Sequence, residues 1–154
     1  MIIQGVEVHS GAVRLYRTQK GCALLGRLTK TLAAERNPMN WLEMTDDEIM
    51  KIANPIMDNL MQASTDVDHE RHIQHFSERL REIVTEENLK QQCAEYQKEL
   101  GYFSDRELAG IFRKDTDVRV FWRQWYTKSK NEFIAFIHLV EKNGNVEVVN
   151  VLVS

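Results

Sequence analysis

From Thr45 onward the apolar residues of this chain recur at helical spacing, and after Gly101 the spacing becomes that of strands. Thr45-Asp46-Asp47-Glu48 has the form of a capping box, in which the Thr hydroxyl accepts from the third amide and Glu48 reaches back to the Thr45 amide. Ile49, Ile52, Ile56 and Leu60 then form one stripe, with Asn54-Pro55 predicting a kink or a restarted helix. Asp66 and Asp68 predict the opening of a second helical segment, with Ile73, Phe76, Leu80, Ile83 and Val84 on one face and Ser77 as a point of interruption. Thr85 is the next N-cap, Glu86 and Glu87 suit the positive end of the helix dipole, and Leu89, Cys93, Tyr96 and Leu100 make the stripe. Gly101 stands where a left-handed C-terminal cap costs least.

Strands are predicted at Leu108 to Arg113, Val118 to Tyr126, Glu132 to Val140 and Val146 to Val153. Lys114-Asp115-Thr116-Asp117 and Lys128-Ser129-Lys130-Asn131 read as polar turns, and Asn143-Gly144 supplies the two positive-φ residues of a type I′ hairpin. Such short connections force antiparallel neighbours. The fold class is therefore α+β, with N-terminal helices packed on one face of a curved four-stranded antiparallel meander.

Neither face of the later strands is polar. Phe133, Ala135, Ile137 and Leu139 alternate with Ile134, Phe136, His138 and Val140; Val146, Val148, Asn150 and Leu152 alternate with Val149, Val151 and Val153. A sheet with one solvated face alternates apolar with polar, so both faces here need cover. Helices supply one layer. A second copy of the sheet is the simplest second layer, which predicts a homodimer through the sheet face, with the N-terminal segment as the rival cover.

At 154 residues and 43% hydrophobic, the chain is sized for one core without disulfides or a structural metal. Residues 1–43 carry six basic and three acidic residues, a net +3 within a total of -3, so the remainder is -6. That contrast reads as an N-terminal extension ahead of a domain at 44–154. The extension is without regular structure or forms a short amphipathic helix on Ala23, Leu24, Leu25, Leu28 and Leu32 beside Arg27 and Lys30. No apolar run suits a membrane span or a signal peptide, so a cytoplasmic location is expected and membrane contact is not. Cys22 and Cys93 have no metal or redox spacing and read as reduced thiols. The acidic balance argues against nucleic acid, in spite of Arg119, Arg123 and the aromatic residues between them.

The order of elements resembles the nuclear transport factor 2-like, or cystatin-like, superfamily over about Thr45 to Ser154. The residues carrying it are Asn54-Pro55-Ile56-Met57-Asp58-Asn59-Leu60, then Asp68 leading into Ile73-Gln74-His75-Phe76-Ser77, Thr85-Glu86-Glu87, Glu99-Leu100-Gly101-Tyr102-Phe103, and a closing meander with Trp122, Val149 and Val151. The resemblance implies a curved sheet around a long helix, a conical pocket and, in many members, dimerisation through the open sheet face. It implies a scaffold more than an activity, since isomerases, dehydratases and non-catalytic modules share it.

His69, His72 and His75 climb a helix too steeply to hold one ion, so no metal is expected. No phosphate-cradling glycine pattern or nucleophile elbow occurs, and no cofactor is expected. A carboxylate base in a pocket is not found either: Asp115 and Asp117 fall in a turn, and Glu132, Glu141 and Glu147 at strand ends. His138 is the mid-strand group able to act as a base, with Asn150, Tyr96 or Tyr102 orienting a substrate. Tyr96, Tyr102, Trp122, His138 and Asn150 are the pocket candidates, and if any residue is catalytic it is His138. The expected function is a non-catalytic dimeric module that binds a small apolar ligand or a partner; the alternative is a small lyase or isomerase with a His base in the cone.

Overall fold

A computed structural model describes residues 39–154. Residues 1–38, including Cys22 and the Leu24 to Leu32 stretch, lie outside the described residues. Four helices, α1 (Asp46–Asp66), α2 (His69–His72), α3 (Glu78–Ile83) and α4 (Glu86–Glu99), precede four strands, β1 (Phe103–Arg113), β2 (Asp117–Tyr126), β3 (Ser129–Lys142) and β4 (Asn145–Val153). The strands pair antiparallel in the order β1-β2-β3-β4, so the α+β architecture of helices followed by an open meander is as expected.

The caps are where the sequence puts them. Glu48 N donates to Thr45 Oγ1 at 3.3 Å and Thr45 N to Glu48 Oε2 at 2.8 Å, completing the capping box. Thr85 Oγ1 accepts from Asn88 N at 3.2 Å, and Gly101 and the Asn143-Gly144 pair all take positive φ. Pro55, however, lies inside one continuous helix of 21 residues, with neither a break nor a restart. Asp66 ends that helix instead of opening the next, and Val67 closes it in the left-handed region at φ 55°.

The expected second helix is split. Asp68 caps the single turn α2, Ser77 caps α3, and between them Phe76 makes a parallel bridge to Val148 of β4. Ser77 N donates to Val148 O at 2.9 Å and Val148 N to His75 O at 2.7 Å. Backbone pairing to an open sheet edge thus wins over helical continuity, and Ile83, expected in the core, is exposed.

Strand β1 starts at Phe103, five residues before Leu108, because Phe103 pairs with Tyr126 across a register shift that the polar run Ser104 to Glu107 conceals. The turn between β2 and β3 is Thr127-Lys128, so Ser129 to Asn131 belong to a strand. In β4, Leu139 pairs with Val148 and His138 with Asn150, which leaves Val149 as an extra residue. The bulge changes the phase: Val148, Val151 and Val153 share the buried face, while Asn150 and Leu152 stand opposite.

Beneath α1 the core collects Ile49, Ala53, Met57 and Leu60 against Val118, Val120, Trp122, Ala135, Ile137 and Leu139. Trp41 is 0% exposed within the same cluster, with Met39 and Met44 packed on it. The packed unit therefore reaches back past the boundary at 43/44 to Met39 at least. No helix among the described residues is long and apolar enough to cross a membrane.

Candidate functional site

Register sorts the candidate residues onto two sides of the sheet. The inner side, under the helices, carries Val118, Val120, Trp122, Gln124 and Tyr126 of β2 opposite Leu139, Ile137, Ala135 and Phe133 of β3. The outer side has three cross-strand rows. Phe112, Arg119, His138 and Asn150 form one, Gly110, Phe121, Phe136 and Leu152 the next, and Glu107, Arg123 and Ile134 the third.

Of the five pocket candidates, Trp122 and Tyr96 are inside, His138 and Asn150 are outside, and Tyr102 is half exposed just ahead of β1. They do not line one pocket. His138 faces away from the helices because its parity is that of Phe136 and Ile134, and the inner parity belongs to Ile137 and Leu139.

Between α1, α2 and the sheet the described residues leave little space. Met57, Leu60, Met61, Ser64, His72, Phe103, Val151 and Val153 surround a void of about 10 Å³, room for one water. Tyr96 packs against Phe103 at 5.1 Å and Tyr126 at 6.0 Å, and burial pushes its phenol up to about 12. At this side of the layer Arg106 lies 5.2 Å from the Trp122 ring and reaches Asp58 at 2.5 Å, pinning β1 to α1. His72 Nε2, Trp122 Nε1 and Gln124 Oε1 are buried without hydrogen-bond partners.

Outside, His138 Nε2 is 2.9 Å from Asp117 Oδ1, and both side chains are largely covered. Asp117 opens β2 instead of lying in the turn, and an offset of two residues from Arg119, the direct partner of His138, brings it diagonally to His138 on the same face. Burial holds the imidazole below its ordinary value, against the raising effect of Asp117, and because a carboxylate accepts, Nε2 is the donor in this pair. Arg119 Nε is 3.8 Å from the same carboxylate and Asn150 faces His138 across the strand pair. Alternation along β2 and β3 located His138, but the carboxylate that orients it carries no local sequence signal.

Next to this polar row is an aromatic one. Phe121 stacks on Phe136 at 5.1 Å and 16°, and Phe112 meets Phe121 edge-on at 5.4 Å. Phe112 is 64% and Ile134 56% exposed. Gly110, Ala109, Phe112, Phe121, Arg123, Glu132 and Ile134 bound a shallow apolar groove of about 420 Å³. A second, more polar groove of about 500 Å³ runs between α3 and the β3–β4 hairpin; there Arg81 donates to Phe76 O at 2.9 Å and Gln74 O at 3.0 Å.

The three helical histidines point into separate surroundings. His69 Nε2 meets Val84 O at 2.7 Å, His72 is buried under α1, and His75 gives its carbonyl to β4. Among the described residues no group of three or more His, Cys, Asp or Glu could hold a metal.

No family model matches the chain, and no curated protein matches it. Among solved structures, it is similar to a SEC-C motif containing protein from Rhodopseudomonas palustris, at 11% identity and TM-score 0.48, over 65% of this chain and 77% of that one. It is also similar to a domain of unknown function with a cystatin-like fold from Nostoc punctiforme, at 8% identity and TM-score 0.46, over 72% and 78%. A third likeness is to an NTF-2 like protein of unknown function from Shewanella oneidensis, at 10% identity and TM-score 0.42, over 69% and 98%.

Proposed function

We propose that this chain is a non-catalytic binding module that associates with a second copy through the outer face of its sheet. The observation that carries the reading is the aromatic cluster Phe112, Phe121 and Phe136 with Ile134 beside it, Phe112 and Ile134 exposed and the other two half-buried, on the face that none of the described helices covers. Polar residues border it on either side, Arg119, His138 and Asn150 on one and Glu107 and Arg123 on the other. An apolar centre with a polar rim is the anatomy of a protein interface, and a two-fold axis through the centre would bury the same residues of both copies. The space of only about 10 Å³ beside His72 and Phe103 favours a surface partner over a small ligand held there.

The lyase or isomerase alternative needs His138 inside an enclosed apolar site. His138 stands on the open face, and the grooves described above are lined by other residues, so no reaction is assigned to it.

Sedimentation velocity on the full chain tests the reading. The wild type is expected to sediment as a dimer, and Phe112→Glu as a monomer with an unchanged circular dichroism spectrum. A wild-type monomer at every concentration, or a Phe112→Glu variant that remains dimeric, overturns it.

A further inference from the structure

The strip of chain from Asp68 to Ser77 closes one edge of the sheet and is fastened to α1 by a buried imidazole. His72 is 1% exposed. Its Nδ1 lies 3.2 Å from Leu60 O and 3.1 Å from Ser64 Oγ. A carbonyl only accepts, so the proton is on Nδ1 and Nε2 presents a bare lone pair. That Nε2 has no partner among the described residues, and the ring borders the void of about 10 Å³ whose other walls are Met57, Leu60, Met61, Ser64, Phe103, Val151 and Val153. None of these side chains is charged, and the one polar group, Ser64 Oγ, lies 3.1 Å from Nδ1. On its other side the ring meets Phe76 edge-on at 5.3 Å, and Phe76 sits in the bridge to Val148. One side chain thus joins the middle of α1 to the residues that cap the β4 edge. α2 has only four residues, and its other ties to α1 are at the surface or in the backbone: Asn59 Nδ2 donates to Arg71 O at 2.8 Å, Asp68 N to Ala63 O at 2.8 Å, and Arg71 pairs with Asp66.

We propose that His72 is an acid-released latch: a proton on Nε2 frees the Asp68 to Ser77 strip from α1 and uncovers the β4 edge at Val148, while α4 and the β1–β3 sheet stay folded. The added N–H would have no acceptor among the described side chains, and the charge would have no carboxylate beside it. On α2 the ionisable neighbours are His69, tied to Val84 O at 2.7 Å, and Glu70 and Arg71; Arg71 pairs at the surface with Asp66 of α1 at 3.2 Å. Asp58 of α1 is engaged by Arg106 at 2.5 Å, and the residues of β1 and β4 on the void are apolar. None of these carboxylates borders the void to neutralise the imidazolium.

Burial pulls the imidazole down to about 4, in spite of the Leu60 hydrogen bond, which favours its charged form. The latched form therefore stays neutral over a range in which the released form, with an ordinary value of about 6.5, takes up a proton. Release is disfavoured above about pH 6.5 and grows about tenfold per pH unit below it, levelling off near pH 4.

Hydrogen exchange of the full chain, followed by mass spectrometry from neutral pH toward pH 4 and corrected for intrinsic exchange, reads each segment separately. In the wild type, the opening equilibrium of residues 68–77 and of β4 around Val148 is expected to rise about tenfold per pH unit, with α4 and β2 unaffected. His72→Asn keeps a donor at the Nδ1 position and lacks the second ring nitrogen, so its exchange is expected to be flat with pH. A flat wild-type profile, the same slope in His72→Asn, or equal loss of protection in α4 and β2 overturns the latch. Should His72→Asn fail to fold, the wild-type ring is titrated by NMR: a midpoint near 6.5 overturns the proposal, and one near 4 together with the segment-specific slope supports it.

Discussion

Removing everything before Met44 from this chain should destabilise it by several kcal/mol, although charge alone marks residues 1–43 as an extension. The reason is Trp41, which is 0% exposed and packed with Ile49 and Ala53 in the cluster under the sheet. A buried Trp removes about 150–250 Å² from water, which at about 25 cal/mol per Å² corresponds to about 4–6 kcal/mol. Large-to-small core substitutions of aromatic residues typically cost about 3–5 kcal/mol, in agreement with that figure. Domains of this size are stable by about 5–15 kcal/mol, so a loss of about 3–5 kcal/mol takes a fifth of the total or more. Urea denaturation of the full chain, of Trp41→Ala and of a chain beginning at Met44 measures it directly. Trp41→Ala should lose about 3–5 kcal/mol and the shortened chain at least as much, whereas Leu42→Ala, at an exposed neighbour, should stay within about 0.5 kcal/mol. A chain starting at Met44 with the wild-type midpoint would refute the packing argument.

Three smaller perturbations test local features. Thr45→Ala removes the Oγ1 acceptor of the Glu48 amide, leaves the residue 45 amide able to donate to the Glu48 carboxylate, and should cost about 1 kcal/mol by chemical denaturation. Gly144→Ala meets no atom within 4 Å, so its cost of about 1–2 kcal/mol is backbone strain at φ 80° alone. Gly101→Ala has the same strain at φ 81° plus a Cβ that would fall 2.2 Å from Thr127 Oγ1, and its midpoint should drop further than that of Gly144→Ala.

The features legible in the sequence were those set by neighbours along the chain. Thr45, Thr85, Gly101 and Asn143-Gly144 act within a turn or two, and each has the role its local chemistry requires. Alternation in β2 and β3 likewise separated Trp122 from Phe121 before any register was known. What could not be read depends on partners far away in sequence. Phe76 leaves helical structure because Val148 offers an edge, Trp41 is core because α1 and the sheet leave room for it, and Phe103 is a strand residue because Tyr126 pairs with it. The side taken by His138 followed from its parity with Phe136 only once α1 was seen to cover Ile137 and Leu139. Its carboxylate partner Asp117, 21 positions earlier, needed the register as well.

The extra residue in β4 makes that strand two half-strands in opposite phase, joined at Val149. Up to Val148 the even-numbered positions are inside; from Val151 the odd-numbered ones are. A saturation scan of this strand would consequently show tolerance switching from odd to even sites halfway along, a pattern easily misread as noise by anyone expecting a single rhythm. Among related chains, a one-residue gap at this point would mark a straightened edge with the same core, since both halves would keep their own side of the sheet only where the strand regains or loses that single step.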